Sequence, residues 1–122
     1  MKYLCLAYEE EQKLNNLSGG EWHVLRQETL DYVESLQASG HLVDARPLRS
    51  ATTASTVRVR DGKLQVTDGP FAEAKEQLGG FFLIEATDHE EAIQIAAKWP
   101  SARLGSIEVR PLDDGLRLDR RY

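Results

Sequence analysis

One stretch, Val66–Ala86, constrains the fold of this chain more than any other part. It breaks a strand at Asp68-Gly69-Pro70 and ends in the apolar run Phe81–Ile84. Proline disfavours helix at the residue before it and suits the first position of a helix. We therefore expect a turn, then a two-turn helix over Phe71–Leu78 that ends at Gly79 in the left-handed conformation. The run Phe81–Ile84 is apolar on both faces, which is typical of a strand covered on both sides.

The rest of the chain predicts strands and helices in alternation around this stretch. The strand at Lys2–Tyr8 is also apolar on both faces. The first helix begins with a Ser18–Glu21 capping box, and its expected buried stripe includes Trp22 and Leu25. The other predicted elements are an acidic loop at Glu9–Leu17, a strand at His41–Leu48, a hairpin of Thr56–Arg60 and Lys63–Thr67 around Asp61-Gly62, a helix starting at Thr87 or Asp88, and a strand at Ser106–Arg110.

This order is β–α–β, an inserted hairpin, then β–α–β. Two right-handed crossovers on one antiparallel sheet predict an α+β, ferredoxin-like fold. Both helices must then cover the same face of the sheet. Because the strands at Lys2–Tyr8 and Gly80–Ala86 are apolar on both faces, one apolar face stays uncovered in a monomer. Such a face usually marks an interface, so we expect a homodimer formed by sheet-on-sheet packing.

The same residues carry a family resemblance. DGPF followed by AEAKEQLGGFFLIEA, with TASTVRVRDGK before it and ARLGSIEVRPL after it, resembles the DGPF branch of the YCII-related proteins. The resemblance covers Met1 to about Leu112 and implies a chain that dimerises into an α/β barrel; it implies no particular reaction. We therefore expect one domain over residues 1–112 and a charged C-terminal tail over residues 113–122.

Composition narrows the classes of function. The formal net charge of −5 without a basic stripe argues against direct nucleic-acid binding. One cysteine allows no internal disulfide, which fits a reducing cytoplasm. No apolar run approaches the roughly 20 residues that span a bilayer, and the acidic start does not resemble a signal peptide. The expectation is a cytoplasmic protein with no membrane partner.

Metal and cofactor motifs are missing from the sequence. The histidines His23, His41 and His89 lie far apart, and one cysteine adds no ligand cluster, so we predict no metal site. The glycine pairs form no phosphate loop, and we predict no cofactor. Smaller YCII-like proteins carry a His and an Asp on the first helix, proposed as an acid/base pair. The resemblance aligns these with Thr29 and Ala38, neither of which transfers a proton usefully.

The remaining candidate site is the charged cluster around the DGPF turn. Asp68 is the candidate acid/base residue, because neighbouring carboxylates raise one another's pKa toward neutrality. Glu73 and Lys75 would contact a small ligand, Tyr8 would add a hydroxyl and Arg46 would anchor an anionic group. The alternative is structural: Asp68 bonds the amides that follow it, the other charges are solvated, and Tyr8 is an ordinary residue at the end of a strand.

Three functional hypotheses remain open. The first is a dimeric α/β barrel that binds a small organic molecule and catalyses cofactor-free proton transfer or isomerisation. The second, which the resemblance suggests, is a regulatory or adaptor protein that works beside an extracytoplasmic-function sigma factor, with the tail Asp113–Tyr122 as the contact. The third is a structural dimer with no small-molecule site.

Overall fold

The structure is a computed structural model that describes residues 1–113. Nearly all of the tail predicted to contact a sigma factor therefore lies outside the described residues, and that contact stays a prediction. The elements are β1 (Lys2–Glu9), α1 (Glu11–Asn15), α2 (Gly19–Ala38), β2 (Leu42–Pro47), β3 (Ser55–Arg60), β4 (Lys63–Asp68), β5 (Gln77–Glu85), α3 (His89–Ala97) and β6 (Ser106–Pro111). Short 3-10 turns occupy Ala51–Thr53 and Pro100–Arg103.

Four strands form one antiparallel sheet in the order β2-β5-β1-β6, and β3 and β4 form a separate hairpin. Cys5 in β1 lies between Phe82 of β5 and Val109 of β6, so β1 and β5 are the central strands. The crossovers β1-α2-β2 and β5-α3-β6 give the ferredoxin-like order that the sequence predicted. The α+β fold with an antiparallel sheet is confirmed.

The core lies between the sheet and helices α2 and α3. Alternation along β1 turns Tyr3, Cys5 and Ala7 toward the helices, and all three are buried. From β5, Phe82 and Ile84 are fully buried, and the Phe82 ring stacks on Trp99 with centroids 3.9 Å apart and planes 9° apart. Full burial of one such side chain stabilises the fold by about 1.5–3 kcal/mol.

Patterns in the local sequence predicted several local structures correctly. The Ser18 hydroxyl accepts a hydrogen bond from the Glu21 amide, and the Glu21 carboxylate accepts one from the Ser18 amide. The Asp88 carboxylate caps α3 by accepting from the Glu91 amide. In the hairpin, Asp61 and Gly62 have φ values of 52° and 73°, as the type I′ turn requires. The predicted hairpin is confirmed, with Val57 paired to Val66 and Val59 paired to Leu64.

The predicted helix over Phe71–Leu78 is wrong. Residues 70–76 form no regular element, and Gln77 and Leu78 already belong to β5, where they pair with Glu9 and Tyr8. An isolated helix of two turns is marginal in water. Here, pairing with the end of β1 supplies the backbone hydrogen bonds instead. The predicted loop at Glu9–Leu17 likewise contains the end of β1 and the short helix α1.

Gly79 consequently lies inside a strand rather than at the end of a helix. The register runs from Ala7–Gly80 to Tyr8–Leu78, so Gly79 is the extra residue of a β-bulge opposite β1. Bulges re-aim side chains and are common beside functional sites. This one lies at the end of β1 where the candidate site is found.

The sheet face opposite the helices is apolar at its centre. Alternation places Leu4, Leu6 and Tyr8 of β1 there, together with Phe81 and Leu83 of β5. The hairpin adds more apolar surface: the side chains of Val57, Val59, Leu64 and Val66 are each between 58% and 68% exposed.

Within residues 1–113, no helix combines the length and apolar content needed to cross a membrane.

Candidate functional site

A cavity of about 690 Å³ lies between the sheet and α2, where β1 ends and β5 begins. Its walls are largely apolar and include Leu30 and Val33 of α2, Leu48 after β2, and the stacked rings of Phe82 and Trp99. Ligand sites typically occupy about 300–1,000 Å³ and combine apolar walls with a few placed polar groups. The polar groups of this cavity decide what chemistry it could support.

Glu9 is the acidic group on the sheet side of this cavity. It is the last residue of β1, and the alternation that buries Cys5 and Ala7 turns its side chain toward the helices. The carboxylate lies directly on Gly79, where a Cβ atom would be only 2.6 Å from Oε2. The bulge residue therefore leaves, by having no side chain, the space that the carboxylate occupies.

Ser101 is the second polar group at this end of the cavity. It lies in the 3-10 turn after α3 and is only 7% exposed. Within residues 1–113, its Oγ atom has no hydrogen-bond partner of normal geometry. Buried hydroxyls are usually bonded, and an unsatisfied one is often found where a ligand or water binds. Ser101 is close enough to Glu9 to influence its titration, as follows.

Burial raises the pKa of Glu9 above the ordinary value of a glutamate. The Ser101 hydroxyl opposes this rise in pKa, and the negative charge of Glu11 adds to it. Burial is the largest of these three influences on the pKa of Glu9. A carboxyl group whose pKa moves toward neutrality is suited to exchange protons at physiological pH.

Glu11 itself has a structural role. Its carboxylate accepts hydrogen bonds from the Ser50 hydroxyl at 2.9 Å and from the Ala51 amide at 2.7 Å. These bonds fix the segment after β2 to α1 along the rim of the cavity. Glu9, the other glutamate that lines the cavity, accepts no hydrogen bond from this segment.

The mouth of the cavity is formed by exposed side chains of α2 and of the segment that ends β2. Trp22 was predicted to be buried, but it is 49% exposed and lines the cavity. Arg26, Arg46 and Arg49 line the same opening, and Arg46 forms an ion pair with Asp44 at 3.3 Å. The cavity thus separates the first turns of α2 from the sheet, which explains why Trp22 is not in the core.

The structure does not bring the predicted site residues together. Asp68 ends β4, and Glu73 and Lys75 follow it in the irregular segment; all three are exposed, and none lines the cavity. Tyr8 points to the opposite face of the sheet. Arg46 alone of the five lines the cavity. The roles proposed for these residues stay predictions, but they would have to operate at separate places on the molecule.

Thr29 connects the cavity to the family comparison. It is the position that the resemblance aligns with the histidine of smaller relatives, and it lines the cavity. Its hydroxyl donates to the Leu25 carbonyl at 2.9 Å. The side of α2 that carries the proposed proton-transfer histidine in those relatives therefore faces the same space as Glu9 here.

Sequence reasoning missed Glu9, Ser101 and Gly79. A signal for Glu9 was present, because it continues the core-facing alternation of β1 and is an acidic residue where an apolar one is expected. Ser101 carried no comparable signal, since it reaches the cavity only through the turn after α3. Among residues 1–113, no group of three or more His, Cys, Asp and Glu side chains could hold a metal ion.

The fold and the cavity together define a class: a small α+β protein with a pocket between its antiparallel sheet and its first long helix. The YCII-related domain matches residues 1–114. The chain belongs to the YCII-related family, as the sequence resemblance predicted.

Two similar proteins extend this comparison. An uncharacterized protein from Rhizobium meliloti (strain 1021) is 36% identical over 114 residues, which cover 92% of each chain. A solved structure of 5-chloro-2-hydroxyhydroquinone dehydrochlorinase from Burkholderia phenoliruptrix, in complex with 2,5-dihydroxybenzoquinone, superposes with a TM-score of 0.58. It is 18% identical, and the match covers 94% of this chain and 96% of that one. This likeness shows a shared fold.

Proposed function

We propose that this protein binds a small organic molecule in the cavity between the sheet and α2, and that Glu9 exchanges a proton with it. The observation that carries the proposal is the placement of the Glu9 carboxylate on Gly79 inside the cavity, near the buried hydroxyl of Ser101. A carboxylate in a partly apolar cavity is a suitable general base or acid for a bound ligand.

The reaction class follows from these groups. The Glu9 carboxylate would accept a proton from a carbon next to a carbonyl, or from a hydroxyl, and the bonding electron pair would stay on the substrate as an enolate or phenolate. The Ser101 hydroxyl would donate a hydrogen bond to a ligand oxygen. Return of the proton to a different atom completes an isomerisation, which needs no oxidant or reductant.

The structural neighbour supports a ring-sized ligand. That protein is a dehydrochlorinase, and its structure holds a dihydroxybenzoquinone. The cavity volume here, about 690 Å³, is within the range that accommodates a molecule of this size. We therefore propose that phenolic, quinone-like and small keto compounds are the first ligands to test.

The experiment is a thermal-shift screen of these compounds against the wild type, Glu9→Gln and Ser101→Ala. A ligand present at about 100 times its dissociation constant stabilises the folded state by about 2.7 kcal/mol. We expect hits whose stabilisation is reduced in both variants. Asp68→Asn serves as the matched control, because Asp68 was the sequence-based candidate and lies outside the cavity.

The screen separates the two site assignments. A shift that persists in Glu9→Gln and disappears in Asp68→Asn would move the site to the DGPF turn. A broad panel with no stabilising compound would contradict ligand binding and favour a structural role for the fold.

We also propose that the protein is a homodimer that pairs the open faces of two sheets. Support comes from the apolar centre of that face, where Leu6 and Leu83 lie, and from the exposed aliphatic side of the hairpin. Light scattering with size-exclusion chromatography should give twice the chain mass for the wild type and a reduced mass for Leu83→Lys. Ile93→Lys on the exposed side of α3 is the control that should remain dimeric, and a monomeric wild type would refute the proposal.

A further inference from the structure

The opening of the cavity carries a cluster of positive charge. Arg26 comes from α2, and Arg46 and Arg49 come from the end of β2 and the residues after it, so guanidinium groups approach the opening from two elements. All three are exposed. The cavity lining holds these three arginines and two glutamates, Glu9 and Glu11, so its formal charge is +1, opposite in sign to the net charge of −5 of the chain.

Two of these arginines are available to a ligand. Arg46 forms an ion pair with Asp44, but Arg26 and Arg49 pair with no acidic side chain among residues 1–113. Trp22 lies one helical turn before Arg26 on the same side of α2, so an aromatic surface lies beside a guanidinium group at the opening. A planar group carrying a carboxylate would contact both.

The two ends of the cavity differ in charge. Three exposed arginines line the cavity, and the Glu11 carboxylate beside them is hydrogen-bonded to Ser50 and Ala51. Apolar and aromatic side chains form the walls, and Glu9 is half-buried near the buried Ser101. The Glu9 carboxylate would repel an anionic group and attract a hydrogen-bond donor such as a hydroxyl. The electrostatics therefore favour one orientation, with the anionic group outward and the hydroxyl inward.

We infer that the cavity selects a small aromatic hydroxy-carboxylate, with its carboxylate on Arg26 and Arg49 and its hydroxyl on Glu9. This inference rests on the proposed function and specifies the ligand class for the same site. Arginine suits this role because its planar guanidinium group binds carboxylates through two parallel hydrogen bonds.

The test compares a matched pair of probes, the neutral 4-hydroxybenzamide and the anionic 4-hydroxybenzoate, by isothermal titration calorimetry on the full chain at pH 7. We expect 4-hydroxybenzoate to bind at least about tenfold more tightly, since one charge-assisted hydrogen bond accounts for such a ratio. The preference should shrink in Arg26→Gln and Arg49→Gln and persist in Arg58→Gln. Arg58 lies in the hairpin, over the Phe71 ring at 5.7 Å, and does not line the cavity.

A salt series adds an independent readout. Raising sodium chloride from about 20 to about 300 mM should weaken binding of the benzoate and leave binding of the benzamide nearly unchanged, because salt screens exposed charges.

The outcomes distinguish this inference from the proposed function. Equal affinity for both probes, lost in both cases in Glu9→Gln, would overturn the anion selectivity and leave the Glu9 site intact. An undiminished preference in Arg26→Gln and Arg49→Gln would likewise overturn the assignment of the arginines. If neither probe binds, the ligand class is wrong, and the thermal-shift screen alone decides whether the cavity binds another compound.

Discussion

Replacing Gly79 with alanine tests whether the bulge in β5 positions the Glu9 carboxyl. The new Cβ atom would lie 2.6 Å from Oε2 and 2.9 Å from Cδ of Glu9, whereas ordinary contacts begin at 3.4 Å. The carboxylate oxygen must therefore move by about 0.8 Å, the difference between 3.4 and 2.6 Å. It can do so because it is the end of a flexible side chain beside an open cavity.

The expected change in folding stability is small. Gly79 does not have a positive φ, so alanine fits its backbone and lowers the entropy of the unfolded chain, a gain of about 0.4–1 kcal/mol. Displacing the Glu9 side chain by about 30° from a staggered rotamer would cost about 0.5–1.5 kcal/mol. The two effects nearly cancel, and we expect the free energy of unfolding to change by less than about 1 kcal/mol. The pKa of Glu9 should fall, because its carboxyl moves toward water.

The assay pairs urea denaturation with an NMR titration of the side-chain carboxyl carbons, in which Glu9→Gln assigns the signal. Gly80→Ala is the matched control on the adjacent residue. Its Cβ would meet the backbone oxygen of Arg46 at 2.9 Å and the Cα of Pro47 at 3.3 Å, and these backbone atoms cannot move aside. We expect a loss of about 1–3 kcal/mol there. A Gly79→Ala protein in which the pKa of Glu9 is unchanged would refute this account of the bulge.

Three further predictions follow from buried groups. Because folding raises the pKa of Glu9, the native state holds more protons than the unfolded state between the two pKa values. As pH rises from about 4.5 through the raised pKa, the wild type should lose stability relative to Glu9→Gln by about 1.4 kcal/mol per unit of pKa difference. A difference in urea denaturation that does not change with pH would contradict this prediction. Burial raises the pKa of Cys5 to about 12, so its thiol should stay unreactive toward Ellman's reagent at pH 8 until urea unfolds the chain. Rapid labelling of the native protein would contradict this and show that Cys5 is accessible. Phe82→Ala should lower the free energy of unfolding by about 3–5 kcal/mol, because it removes a fully buried ring stacked on Trp99. A loss below about 1 kcal/mol would mean that this core is not packed as described.

The sequence predicted those parts of the fold that depend on neighbouring residues. The capping box at Ser18, the cap at Asp88 and the Asp61-Gly62 turn each use side chains within a few positions of one another, so local chemistry decides them. The prediction of a helix at the start of β5 was wrong for the opposite reason. Gln77 and Leu78 adopt the strand conformation through pairing with β1, which no local pattern in that segment reports.

The candidate site was harder to predict than the fold. DGPF drew attention to Asp68, but the hairpin carries that residue away from the cavity. Glu9, Gly79 and Ser101 meet only because β1, β5 and the turn after α3 converge at one end of the sheet. These residues are widely separated in sequence, and only Glu9 carries a signal within its own segment, as an acidic residue at a core-facing position of β1.

The cavity also contains both tryptophans of the chain, with Trp22 at its opening and Trp99 in its wall. The first is 49% exposed and the second 9%, so their indole rings lie in environments of very different polarity. The tryptophan fluorescence of this protein, excited selectively over tyrosine, therefore originates from the candidate site. A molecule that enters the cavity should displace water from the exposed Trp22 ring and shift its emission to shorter wavelength. The protein thus carries its own optical reporter of occupancy, and binding can be followed without any label.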